Sequence, residues 1–305
     1  MTVCVASIYT NNSILGASDR MLTAGDVQFE PQQSKIWRIT TSIALLVAGD
    51  ISLHSEIYNR LLPLVKKKIE EQPPTWIEVL WTAESYSRIY YELRSERIEK
   101  EILFPLGLNS ETFISRQKEL SSSIIDDIAY KINKLFLPSV GAIIAGNDKN
   151  PDPIPNKPDN GIGSPHLYIF DNGRITCNDK VGFAAIGAGY WHANSQFMFN
   201  GHTRSASEPV TLLNTYWAKK RAEVAPGVGV ETDMFVISPH LGSYEVINEK
   251  IINDVDKIYQ KNQKSINKMN SSIENSLANY LAELIKTRKQ QSSPPTPELN
   301  LPIES

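Results

Sequence analysis

Apolar positions come first in short runs and later in long series spaced three and four apart. Residues 3–8 and 14–17 are brief apolar runs separated by Thr10-Asn11-Asn12-Ser13, turn-forming residues that predict a β-hairpin. Residues 20–34, with Gly25 and Pro31, read as loop. Residues 35–39 and 43–48 predict a second strand pair. The latter is apolar throughout, as in a strand buried on both faces. The period then changes. Leu53, Ile57, Leu61, Leu64 and Val65 predict a helix over 52–70, kinked or cut short at Pro63. A second helix over 75–101 aligns Trp76, Val79, Leu80, Ala83, Tyr86, Ile89, Tyr90 and Leu93. A third starts at Asn109 or Ser110, both good N-caps, and carries Phe113, Gln117, Leu120, Ile124, Ile128 and Ile132.

Strands return at 140–145, 167–170, 174–177 and 183–186, with 147–165 as loop and Asp171-Asn172-Gly173 as a hairpin turn. Helices follow over 190–199 and 208–224, then strands over 234–237 and 243–247. From 251 to 284, Val255, Ile258, Ile266, Met269, Ile273, Leu277, Tyr280 and Leu284 mark a long amphipathic helix with a polar gap at Asn262-Gln263. The Pro/Ser-rich end, 290–305, reads as disordered. Strand blocks alternating with two helical blocks predict an α+β fold: a four-layer αββα sandwich of two stacked, mainly antiparallel sheets, with an added C-terminal helix. The domain reading is 1–250, with a helical insertion at about 75–135, then the helix 251–289 and the tail 290–305.

Composition narrows the classes. The 305 residues are 41% hydrophobic, enough for a sizeable core, and the formal charge of −3 carries no basic field suited to nucleic acid. No apolar run approaches a membrane span, and the N-terminus lacks a signal-peptide pattern. Two cysteines, Cys4 and Cys177, fit a reducing compartment, so a cytoplasmic location is expected. His54, His166, His192, His202 and His240 have no metal-ligand spacing, and Asp148, Asp152 and Asp159 lack that of an EF-hand. Neither metal nor cofactor is expected.

Thr2 is an ordinary strand residue or a nucleophile made terminal by removal of Met1. The ordered set Thr2, Asp19, Thr23-Ala24-Gly25, Lys35 and Ala48-Gly49-Asp50 resembles the proteasome-like branch of the N-terminal nucleophile hydrolases, as do Val140 to Asp148 and Ala185-Ile186-Gly187-Ala188-Gly189. The first hairpin is one residue longer than is usual there, which brings Asp19, Lys35 and Gly49 into register together. The resemblance runs over about 2–247. It implies a threonine amidohydrolase, most directly a peptidase acting on peptide or amide substrates, assembled as a ring or related homo-oligomer. Thr2 would be the nucleophile and its freed α-amine the base, since that amine titrates near ~7.7–8.0. Lys35 would lower the amine pKa, Asp19 would hold Lys35, and the Gly49 amide would face the oxyanion. Three positions depart from the family pattern: Ala188 stands where a Ser is usual, and Ala222 and Ala225 where an Asp and a Ser support the Thr, with Glu223 adjacent as a substitute acid. These departures leave a second reading open, a catalytically inactive proteasome-like scaffold subunit. The buried-hydrophobe reading of Cys4 is preferred to a Cys nucleophile, because Cys4 is not terminal.

Overall fold

The computed structural model describes residues 2–24, 27–71, 76–149, 163–240 and 242–291. Gly25, Asp152, Asp159 and the tail from 292 lie outside the described residues. The chain divides into two compact units, Met1–Ile252 and Asn253–Ser305.

The first unit is a mixed structure of antiparallel sheets and helices. β1 (Val3–Tyr9) and β2 (Ser13–Asp19) form the opening hairpin, Cys4 opposite Ser18 and Tyr9 opposite Ser13. β3 (Leu22–Ala24) and β4 (Val27–Phe29) pair as a small ribbon where the sequence predicts only loop. Three-residue strands, with β4 exposed, carry no alternation long enough to read. β5 (Ile36–Arg38) pairs with β6 (Ile43–Gly49), which is buried along its length up to Gly49.

α1 (Ile51–Glu71) runs unbroken through Pro63. The carbonyl deprived of its donor belongs to Asn59, which is exposed like Pro63, so water can satisfy it, while Leu61 and Val65 anchor the helix on either side. α2 (Val79–Ile98) buries Val79, Ala83, Tyr86, Ile89, Tyr90 and Leu93 but exposes Leu80, and Trp76 precedes it. The predicted third helix is two: α3 (Ser110–Ser115) and α4 (Ser122–Lys134). Asn109 caps α3 in a reciprocal box with Thr112, and Ser121 restarts the chain in an extended N-cap conformation.

β7 (Val140–Lys149) and β8 (Gly163–Asp171) extend further than predicted into the polar stretch between them. β8 turns into β9 (Arg174–Cys177) through Asn172 and Gly173, at φ 47° and 96°, the paired left-handed residues of a tight hairpin. β10 (Phe183–Gly187), α5 (Tyr190–Phe199), α6 (Glu208–Ala222), β11 (Thr232–Ile237) and β12 (Tyr244–Val246) follow. α7 (Glu249–Gln291) is the long C-terminal helix.

The strands make two five-stranded antiparallel sheets, ordered β10-β1-β2-β11-β12 and β5-β6-β7-β8-β9. One apolar cluster takes side chains from both, among them Cys4, Ala6, Ile8 and Phe235 from the first and Leu46, Ile143 and Leu167 from the second. Alternate residues of β6, Leu45 and Val47, face a different cluster built with α1 and α2. α5 and α6 pack on β1, where Ser7 and Thr215 share a buried hydroxyl hydrogen bond of 2.7 Å. Among the described residues, no helix is long and apolar enough to cross a membrane.

Candidate active site

The ends of four strands bring the chemistry together. Thr2 precedes β1, Asp19 closes β2, Lys35 enters β5 and Gly49 closes β6. Thr2, Asp19 and Lys35 are 2%, 0% and 3% exposed. The Thr2 hydroxyl donates to Asp19 Oδ1 and accepts from Lys35 Nζ, and Lys35 Nζ lies 3.0 Å from Asp19 Oδ1. Lys35 also donates to the Met21 carbonyl. Besides Thr2 and Lys35, the Asp19 carboxylate accepts from the amides of Val3 at 2.9 Å, Met21 at 3.1 Å and Gly229 at 2.9 Å. A buried ion pair is tolerated where its remaining lone pairs and protons find such partners.

Gly49 has φ +104°, and a Cβ there would lie 2.2 Å from the Ser139 carbonyl oxygen, so only glycine fits. It lies, with Thr2 and Ala48, on the walls of two cavities of about 610 and 270 Å³. Lys35 lines the smaller. Gly187 and Ala188 line the larger. The Gly189 amide donates to the Thr2 carbonyl at 3.4 Å, and a Cβ on Gly189 would meet Ala222 Cβ at 2.7 Å. The turn beside Thr2 thus carries the methyl group of Ala188 and packs against that of Ala222 at the end of α6. Ala225 is buried in the turn after α6, its amide donating to the Ala222 carbonyl.

Glu223 is engaged elsewhere. Its Oε1 lies 2.6 Å from Lys219 Nζ and 2.8 Å from Lys220 Nζ. Lys219, fully buried, also donates to the carbonyls of Gly229 at 3.0 Å and Val230 at 2.7 Å. The Gly229 amide in turn reaches Asp19. Burial pulls the Lys219 ammonium below its ordinary pKa, against the opposing pull of Glu223. Sequence reading missed this support, because Lys219 sits in the run Lys219-Lys220-Arg221, which looks like a solvated helix end.

His54, without metal-ligand spacing in the sequence, is a core histidine with both ring nitrogens bonded. It is buried on α1, Nε2 donating to the Ala48 carbonyl at 2.9 Å and Nδ1 accepting from the Tyr86 hydroxyl. Burial pushes its pKa down to about 4, consistent with this neutral tautomer. It fixes the strand end that carries Gly49. Cys4 is buried against the Val47 carbonyl at 3.3 Å, and burial pushes its thiol well up, away from thiolate chemistry. His166, on β8, lies 2.6 Å from Asp179 in the turn after β9 and 3.5 Å from Asp148 on β7. Among the described residues, no group of three or more His, Cys, Asp or Glu could hold a metal ion. No protein-family model matches the chain, and no curated protein matches it significantly.

Proposed function

We propose that the protein is an amidohydrolase of the proteasome-like N-terminal nucleophile type, most directly a threonine peptidase. The observation that carries this reading is the Thr2 hydroxyl held between a buried carboxylate and a buried ammonium where two cavities meet. The shared apolar cluster between the sheets, with α1 and α2 against one and α5 and α6 against the other, supports a four-layer αββα sandwich.

In this mechanism, removal of Met1 frees the Thr2 amine. The amine takes the hydroxyl proton as Oγ1 adds to the substrate carbonyl, forming a C–O bond. The Gly49 amide faces the resulting oxyanion. The C–N bond then breaks, and the ammonium returns its proton to the leaving amine. Water then adds to the ester carbonyl, giving a proton to the amine; the C–Oγ1 bond breaks, the ammonium returns that proton to Oγ1, and the acid product leaves with Thr2 regenerated. Lys35 contributes positive charge beside Oγ1, and Asp19 fixes Lys35.

Treatment with a β-lactone tests this by intact mass. Loss of Met1 and one adduct, absent from Thr2→Ala, is the expected result; retained Met1 with no adduct overturns it.

A second reading, a non-catalytic scaffold subunit, is favoured by the methyl groups of Ala188, Ala222 and Ala225 and by the engagement of Glu223 with Lys219 and Lys220. Under either reading we propose self-association into a closed homo-oligomer.

A further inference from the structure

Thr2 stands at a junction with two unlike sides. Its hydroxyl points to Lys35, on the wall of the smaller cavity. Its main chain abuts the turn after β10: a Cβ built on Gly187 would lie 2.3 Å from the Thr2 carbonyl oxygen, and Gly187 and Ala188 line the larger cavity. Thr2 lines both cavities, so an acyl group on Oγ1 seated in one leaves the other for the departing amine.

The larger cavity, about 610 Å³, is walled by Ile169, Ala185, Ile186 and Tyr190, with Asp171 also on its lining. This space would hold more than one amino-acid side chain. It offers apolar contact to the residue after the scissile bond, and a carboxylate for the ammonium the leaving segment becomes.

We propose that the larger cavity is the leaving-group site, and that the preferred substrates are peptides cut internally, with a large apolar residue directly after the scissile bond. This rests on Thr2 being the nucleophile. Specificity would then be set on the leaving side as well as the acyl side, with capped or single-residue leaving groups as poor substrates.

Gly141 provides the means of testing it. It lines the cavity, and a Cβ there meets its nearest neighbours, Phe170 O, Ile186 Cβ and Ala48 O, at 3.8–4.0 Å, ordinary contact. A side chain at 141 can thus occupy the space without displacing backbone. Internally quenched peptides, identical on the acyl side and bearing Gly, Ala, Leu or Phe after the scissile bond, are compared by kcat/KM on the wild type and on Gly141→Leu. The wild type is expected to prefer Leu or Phe over Gly by about 10- to 100-fold, the discrimination one well-buried apolar group supplies. Gly141→Leu is expected to erase that preference while the circular dichroism spectrum is unchanged and a small β-lactone still forms its adduct on Thr2. Acylation of the wild type without any leaving-side preference, or a preference that survives Gly141→Leu, overturns this proposal and leaves the nucleophile standing. Absence of any β-lactone adduct on the wild type overturns both.

Discussion

Lys35 and Asp19 form an ion pair sealed from water, and breaking one side leaves the other charge without a partner. Lys35→Met is therefore expected to lower unfolding free energy by about 3–5 kcal/mol and to abolish acylation of Thr2, whereas Lys35→Met with Asp19→Asn is less destabilised than the single variant. Urea unfolding of the set checks this. Thr2→Val keeps the volume and removes one donor from a carboxylate that retains others, so it is expected to cost about 1 kcal/mol while removing all hydrolysis. His54 gives a separable signature. Its folded pKa, about 4, lies below the usual 6.5, so the folded state binds fewer protons between those values. Stability is expected to fall as pH drops from 6.5 to 4, by at most about 1.4 kcal/mol per unit, and His54→Gln flattens that slope. A slope unchanged in His54→Gln would place the titration elsewhere. Thr2, Asp19, Lys35 and Gly49 stand out in the sequence only as an ordered set, through its resemblance to a family; in the structure Thr2, Asp19 and Lys35 lie within hydrogen-bonding reach of one another. His54 and Lys219 do not stand out, because their burial is decided by distant partners, Tyr86 and the Gly229 and Val230 carbonyls.

At the scale of elements, apolar periodicity located the long strands and helices, and the errors came where a local signal was outweighed. Pro63 reads as a helix breaker, yet Leu61 and Val65 are buried on either side of it and hold α1 continuous. The proline still removes one backbone hydrogen bond. Pro63→Ala is expected to stabilise the protein by about 1–3 kcal/mol, seen as a raised midpoint in denaturant with an unchanged slope. No gain would mean that the exposed Asn59 carbonyl loses nothing to water. The third helix was read as one because Phe113, Leu120, Ile124 and Ile128 keep helical spacing across the break. The helix nevertheless stops after Ser115 and restarts beyond Ser121, where serines compete for backbone hydrogen bonds. The β3–β4 ribbon had too few residues to show any period. It nevertheless matters to the site, since Leu22, Thr23 and Phe29 line the smaller cavity.

For the whole molecule, the long helix α7 presents an exposed apolar face. Ile258, Met269, Ile273, Leu277, Tyr280 and Leu284 are 41–59% exposed. With Val255, Asn262 and Ile266 they follow spacings of three, four and four along the chain. An 11-residue repeat of this kind keeps an apolar seam on one face of a nearly straight helix and suits packing against a like helix. Asn262 is the one polar residue of that seam, and two copies aligned in parallel would pair it with itself. Charge in the helix's second half is confined to Glu274 and Glu283, then Lys286, Arg288 and Lys289 near its end, so the seam from Met269 to Tyr280 carries no charge of its own. Self-association through α7 is expected, and Ile273→Glu with Leu277→Glu should lower the mass measured by light scattering at fixed protein concentration. Circular dichroism of the variant would show first-unit structure retained. A mass unchanged by the two glutamates would mean that α7 does not carry self-association. Asn262→Ile sharpens the test: a seam selected for parallel register should gain thermal stability and lose its single oligomeric state, whereas an unpaired exposed face should do neither.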